Sequence, residues 1–262
     1  MPELRSIINE NRSYWMQRAS SYSDVNKVEL GGISRNMWLN AIHGQIASHF
    51  DNVSPENIRV LDIGTGPGFF AIILAELGYD VTAIDLTPNM LLEAKQNAGK
   101  LADIIDFREM NAEALEFADD TFDVIVTRNL TWNLPHPNKA YCEWHRVLRE
   151  GGLLLNFDSN WYRYLYSSTA RAGYESDRDR SASLGIKDQN IGENFDVMED
   201  IARRIPLSRI SRPEWDIDVL TSIGMHVTVD ENIWQTVWTP EEQINFASTP
   251  MFMIRAIKPF RT

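Results

Sequence analysis

The stretch VLDIGTGPGFF, residues 60–70, places three glycines directly after one apolar run and before a second, AIILAEL. Gly64, Gly66 and Gly68 remove side chains at a point where a strand turns into a helix. A ligand can therefore approach the main chain and the N-terminus of the helix. Such a turn is typical of sites that bind nucleotides or related molecules.

Short apolar runs alternate with helical patterns from residue 59 onward, beginning with IRVLDI, FFAIILAEL, YDVTAID and PNMLLEAKQNA and reaching GGLLLNFD. This alternation predicts a parallel sheet covered on both faces by helices. The right-handed crossover rule makes that sheet doubly wound. With HVTVDENI and MFMIRAIK as final strands, we expect an α/β, Rossmann-like, doubly wound and mostly parallel sheet of seven strands.

The chain is expected to form a single domain, residues 1–262, built from four consecutive parts. These are an N-terminal helical cap (1–58), a ligand-binding core (59–158), a lid inserted between the fifth and sixth strands (159–212), and a final helix with strands (213–262). The insertion is longer than an ordinary connection and is typical of a substrate-binding lid.

Two local patterns predict helix ends. We expect Ser211 to be the N-cap of the helix in SRPEWDIDVLTSIGM, and Gly151 and Gly152 to end the helix that precedes them.

Composition narrows the function classes. With 25 Lys and Arg against 37 Asp and Glu, the net charge is −12, which disfavours nucleic acid as a partner. The single cysteine, Cys142, allows no intrachain disulfide and no cysteine metal cluster. No run approaches membrane-spanning length, and no signal peptide is visible. We therefore expect a cytoplasmic protein without a metal or a membrane partner, and leave a homo-oligomer open.

The spacing of the glycines decides between nucleotide-type ligands. A dinucleotide site needs a small residue at the sixth position of its fingerprint, where this sequence has Phe69. Asp85 ends the strand YDVTAID, where a carboxylate can accept hydrogen bonds from both ribose hydroxyls. An adenosine-like ligand without a pyrophosphate fits both features. Structural roles remain open: Asp62 as the cap of a turn, Asp85 as the cap of the next helix, and Met90 as a core residue.

The ordered motifs LDIGTGPG, AIDLTPNML, NAEALEFADDTFDVIV and EWHRVLREGGLLLNFD resemble class I S-adenosylmethionine-dependent methyltransferases. The resemblance, which runs from Val60 to Asp158, is to the small-molecule type 11 group that includes ubiquinone-biosynthesis enzymes. It implies S-adenosylmethionine as cofactor, S-adenosylhomocysteine as product and a small molecule as acceptor. The cofactor-binding residues it implies are Asp62, Gly64, Gly66, Gly68, Asp85, Leu86, Met90, Asn111, Ala112 and Asn129.

Methyl transfer to an aligned acceptor requires no fixed catalytic residue, so none is predicted. His136 is interpreted as a solvated loop residue rather than a base. Segments after the fourth and fifth strands and the pattern YWMQRASSY are expected to face the acceptor; the substrate candidates are Tyr14, Trp15, Tyr22, Trp132, Asp158 and Trp161. Two alternatives remain, a nicotinamide-dependent oxidoreductase and a noncatalytic S-adenosylmethionine-binding protein.

Overall fold

Seven strands form one sheet in the computed structural model, which describes residues 2–188 and 194–260. The strands are β1 (Arg59–Ile63), β2 (Asp80–Asp85), β3 (Asp106–Glu109), β4 (Phe122–Arg128), β5 (Leu148–Asp158), β6 (His226–Asp230) and β7 (Phe252–Ile257). Their order is β3-β2-β1-β4-β5-β7-β6. Neighbours among β1 to β5 are parallel, and β7 is antiparallel to both β5 and β6. The predicted α/β, doubly wound, mostly parallel sheet of seven strands is confirmed.

Strand burial follows strand position. Central β4 reads FDVIVTR and is buried through its first six residues, as expected for a parallel strand covered on both faces. Edge strand β3 reads DFRE and is largely exposed, so its charged side chains protect the sheet from further pairing.

Helices cover both faces of the sheet and its carboxyl-terminal edge. Those of the described residues are α1 (Pro2–Gly31), α2 (Ile33–His49), α3 (Phe69–Glu76), α4 (Pro88–Ala98), α5 (Pro137–Val147), α6 (Ser168–Ser183), α7 (Phe195–Ala202), α8 (Glu214–Ser222), α9 (Trp234–Val237) and α10 (Pro240–Asn245). None of these helices has the length and apolar character needed to cross a membrane.

Alternate side chains of β1 enter two separate cores. Val60 points to one side with Trp38 of α2, whose ring centroid lies 5.1 Å from that of Phe157. Leu61 points to the other side with Trp144 of α5. The period of two along the strand therefore divides the apolar residues between the two faces of the sheet.

The N-terminal helix and the insertion meet beyond the carboxyl ends of the strands. Helix α1 packs against α4 and α7. A third apolar cluster joins Ile7 of α1, Trp132 after β4 and Met198 of α7. Three parts of the chain that are distant in sequence thus cover one edge of the sheet.

The two predicted helix ends were wrong. Helix α8 begins at Glu214, with Pro213 at the N-cap, because Asn160 holds the backbone of Arg212 through both its amide nitrogen and its amide oxygen. Helix α5 ends at Val147, and Gly151 and Gly152 lie inside β5, next to a register shift in its pairing with β4.

Candidate active site

The glycine loop follows β1 and has the left-handed backbone that favours glycine. The φ angles are +68° at Gly64, +53° at Gly66 and +93° at Gly68. A β-carbon at Gly66 would meet only the Tyr22 ring, at 3.8 Å, whereas one at Gly68 would lie 3.1 Å from the β-carbon of Ala94. Gly66 therefore leaves room at the cavity, and Gly68 allows α3 and α4 to pack closely.

Asp62 lies beneath this loop and holds its shape. Its side chain accepts hydrogen bonds from Thr65 Oγ1 at 2.6 Å and from the Ala71 backbone N–H at 3.1 Å. The residue is 2% exposed, and burial raises the pKa of its carboxyl from 3.8 to about 7. Asp62 therefore caps the turn, which was one of its two predicted roles. It also lines a small recess with Gly64 and Gly66, beside the loop.

Asp85 joins the glycine loop to the loop after β2. One carboxylate oxygen accepts from the Gly66 N–H at 3.0 Å, and the other accepts from the N–H and the hydroxyl of Thr87 at 2.9 and 2.6 Å. Burial raises the pKa of Asp85, and its bonds to Thr87 and Gly66 oppose that effect. Thr87, rather than Asp85, stands at the N-cap of α4.

A cavity of about 120 Å³ lies above these two loops. Eight of the ten predicted cofactor-binding residues line it, namely Gly64, Gly66, Asp85, Leu86, Met90, Asn111, Ala112 and Asn129. Asp62 and Gly68 do not line it, because Asp62 lies beneath the loop and Gly68 faces Ala94 of α4. Typical small-molecule sites hold about 300–1,000 Å³. Arg12, Trp15 and Tyr22 of α1 also line this cavity, so α1 forms one of its walls.

A second cavity, the aromatic chamber, adjoins the first and has a volume of about 210 Å³. The two share Trp15, Tyr22 and Asn129. The residues that line the chamber are Tyr14, Trp15, Arg18, Tyr22, Asn129, Trp132, Trp161, Tyr162, Tyr164, Phe195 and Phe246. Five of the six predicted substrate residues are among them.

The remaining substrate candidate, Asp158, requires a correction. It has no exposed surface, and it lines neither the glycine-loop cavity nor the aromatic chamber. Its carboxylate accepts from Arg212 Nη1 at 2.5 Å and from the backbone N–H groups of Trp132 and Ser159, both at 2.9 Å. Arg212 also binds Asp216 at 2.7 Å, and all three side chains are buried. Contact between Asp158 and a substrate is therefore not supported; its role is to anchor the segments after β4 and β5.

Arg128 at the end of β4 was missed by the sequence reasoning. Its guanidinium donates to both carboxylate oxygens of Glu29 in α1, at 2.9 Å each, and lies over the rings of Trp38 and Phe69 at 5.1 and 4.7 Å from their centroids. This pair fastens α1 to the sheet. The available signal was a lone arginine at the end of an otherwise buried strand.

A third cavity of about 500 Å³ lies beside the aromatic chamber. Among the residues that line both are Arg18, Asn129 and Trp161. The three cavities meet at Asn129 and Tyr22, which line all of them.

His136 is placed elsewhere, with its ring Nδ1 2.8 Å from Glu113 Oε2 and its backbone N–H donating to Glu113 Oε1.

Comparison with known proteins finds a family model that matches the segment containing the glycine loop, and curated relatives. Residues 61–156 match the family model described as "Methyltransferase domain". The chain is 36% identical over 141 residues to the ubiquinone/menaquinone biosynthesis C-methyltransferase UbiE of Roseobacter denitrificans, covering 52% of this chain and 54% of that protein. It is 33% identical over 122 residues to the ubiquinone biosynthesis O-methyltransferase of Cereibacter sphaeroides, covering 45% and 49%. The chain thus matches about half the length of these curated relatives.

A solved structure shares the fold across nearly the whole chain. The plantazolicin methyltransferase BpumL, in complex with SAH, aligns with a TM-score of 0.62 at 13% identity, over 99% of this chain and 98% of that one. The predicted resemblance to methyltransferases is confirmed for the segment that carries the motifs.

Proposed function

We propose that this chain, whose residues 61–156 match the methyltransferase domain model, transfers a methyl group from S-adenosylmethionine to a small-molecule acceptor. The observation that carries the proposal is the pair of adjoining cavities at the carboxyl ends of the strands. One is bordered by the glycine loop and Asp85, the other is aromatic, and Tyr22 and Asn129 lie in the walls of both.

The residues of the first cavity fit an adenosyl ligand. Gly66 has no side chain where the cavity reaches the main chain, and Asp85 presents a carboxylate that can accept from ribose hydroxyls. Met90 and Ala112 offer apolar contact for a purine. Asn111 is held in place because its Oδ1 accepts from the Glu113 N–H at 2.9 Å.

S-adenosylmethionine supplies a methyl group made electrophilic by its sulfonium, and it becomes the neutral thioether S-adenosylhomocysteine when the carbon–sulfur bond breaks. The chain's own contribution is to align the acceptor's lone pair with that carbon and to exclude water. Burial raises the pKa of Tyr14, Tyr22 and Tyr162, so these chamber hydroxyls stay protonated near neutral pH. They therefore do not act as bases there.

The insertion, residues 159–212, is proposed to act as a lid that selects the acceptor. Support comes from Trp161, Tyr162 and Tyr164, which line the aromatic chamber, and from the stacking of Tyr162 on Trp132 with centroids 4.9 Å apart. The division of the rest of the domain into a cap, a core and a final helix with strands stays a prediction. So do a homo-oligomer, a cytoplasmic location and the lack of a nucleic-acid partner.

Ligand binding tests the proposal against a nicotinamide enzyme. Thermal shift and calorimetry on the full chain should show tight binding of S-adenosylhomocysteine and none of NAD, because binding stabilises the folded state. Gly66→Val should abolish that binding. Gly99→Val is the matched control, since Gly99 has nearly the same φ, +54°, with nothing within 4 Å of the added β-carbon. Selective binding of NAD would contradict the proposal.

A further inference from the structure

Three buried polar atoms around the aromatic chamber have no hydrogen-bond partner among the described residues. They are Arg18 Nε, Asn129 Oδ1 and Trp161 Nε1. Native proteins leave few buried polar atoms unpaired, because each loses its hydrogen bond to water and gains none in return. All three side chains line both the chamber and the third cavity, so a ligand placed there can supply the missing partners.

The chemistry of these atoms defines the ligand that would pair with them. Arg18 and Trp161 offer N–H donors, and they require oxygen acceptors on the ligand. Arg18 is the only charged side chain that lines the chamber within the described residues, so an anionic oxygen is favoured over a neutral one. Asn129 Oδ1 is an acceptor and requires a donor, such as a hydroxyl.

The position and shape of the chamber add two constraints. Nine of its eleven lining residues are aromatic, which suits a planar ring system. Asn129 also borders the cavity of the glycine loop, so a hydroxyl held by Asn129 would face the proposed methyl donor. The backbone N–H of Asn129, whose φ is +56°, donates to the Phe157 carbonyl at 2.8 Å and holds the residue at this junction.

We propose that the acceptor is a planar aromatic hydroxy acid, whose carboxylate binds Arg18 and Trp161 and whose hydroxyl, held by Asn129, is the atom methylated. This inference rests on the proposed function. The hydroxyl oxygen forms a bond to the methyl carbon, and the carbon–sulfur bond breaks with its electron pair remaining on sulfur. The hydroxyl proton passes to solvent, and the products are an aryl methyl ether and S-adenosylhomocysteine.

Binding of three matched probes tests the inference without turnover. The probes are 6-hydroxy-2-naphthoate, its neutral amide, and its methyl ether 6-methoxy-2-naphthoate. Each is titrated into the full chain, with and without S-adenosylhomocysteine, by calorimetry. The hydroxy acid should bind at least tenfold more tightly than the amide, because only the acid forms a charge-assisted hydrogen bond with Arg18. It should also bind more tightly than the methyl ether, which cannot donate to Asn129.

Substitutions assign each preference to its residue. Arg18→Met should remove the preference for acid over amide, while Arg108→Met should retain it, because Arg108 pairs with Asp106 on edge strand β3 away from the chamber. Asn129→Gly, which tolerates the left-handed backbone, should remove the preference for hydroxyl over methyl ether. Trp161→Phe should weaken binding of the acid severalfold and leave the affinity for the amide less affected.

The outcomes separate this inference from the proposed function. Equal affinity of acid and amide, or a preference that survives Arg18→Met, overturns the inference even where S-adenosylhomocysteine binds tightly. Failure of S-adenosylhomocysteine to bind contradicts the proposed function instead. In that case, the relative affinities of the three probes, measured without S-adenosylhomocysteine, still decide whether the chamber recognises an aromatic hydroxy acid.

Discussion

Asp62 should make the stability of this protein fall as the pH rises toward neutrality. Burial raises the pKa of its carboxyl from 3.8 to about 7, so the folded protein keeps a proton that the unfolded chain releases. The resulting penalty is absent below pH 3.8, grows between pH 3.8 and 7, and is constant above. At about 1.36 kcal/mol per pKa unit, it reaches about 4 kcal/mol.

Asp62→Asn tests this reasoning, because the amide oxygen can still accept from Thr65 and Ala71 while the ionisable proton is lost. Urea unfolding of both proteins at pH 5, 6, 7 and 8 gives the difference in free energy of unfolding. The variant's advantage should widen by about 2 kcal/mol from pH 5 to pH 7 and then level off. A difference that does not change with pH, or a variant that is less stable at pH 8, would refute the assignment of this titration to Asp62.

Four further changes have expected outcomes. Asp85→Ala should weaken S-adenosylhomocysteine binding at least tenfold in calorimetry, since a charged hydrogen-bond acceptor is worth about 1.5–3 kcal/mol; unchanged affinity would remove Asp85 from the site. Gly68→Ala should lower the free energy of unfolding by about 1–3 kcal/mol yet leave that affinity within a few fold, because Gly68 does not line the cavity. Arg212→Met should destabilise by about 3–5 kcal/mol in urea, because it leaves Asp158 buried without its cation; a change below about 1 kcal/mol would argue against the buried ion pair. Exchanging 161–211 for the equivalent segment of a relative, with Asn160 and Arg212 kept to preserve the Asp158 anchor, should change the acceptor methylated but preserve cofactor affinity, and an unchanged acceptor would place selectivity elsewhere.

The sheet and the glycine-loop cavity could be predicted because their determinants are local. Left-handed backbone at Gly64 and Gly66 and a carboxylate at the end of β2 follow from short motifs. Their side chains meet because parallel strands end at one edge of the sheet. Eight of the ten predicted cofactor-binding residues consequently line one cavity.

The chamber and its anchors depend on partners far away in sequence. Asp158 follows a strand in the same way as residues that face a ligand, but its partner Arg212 comes 54 positions later, with nothing local to reveal the pair. Arg128 and Glu29 are 99 positions apart. Which strand-end side chain faces a cavity and which is buried in an ion pair is decided by the packing of α1 and the insertion.

Transfer of a labelled methyl group is the most direct test of the proposed activity. The full chain and Gly66→Val are incubated in parallel with S-adenosylmethionine labelled in its methyl group and a small-molecule cell extract, and the label is followed into products by chromatography. The account predicts a labelled small molecule with the full chain and none with the variant. Label that stays entirely in S-adenosylmethionine, in a protein that binds S-adenosylhomocysteine tightly, would contradict methyl transfer and favour a noncatalytic binding protein.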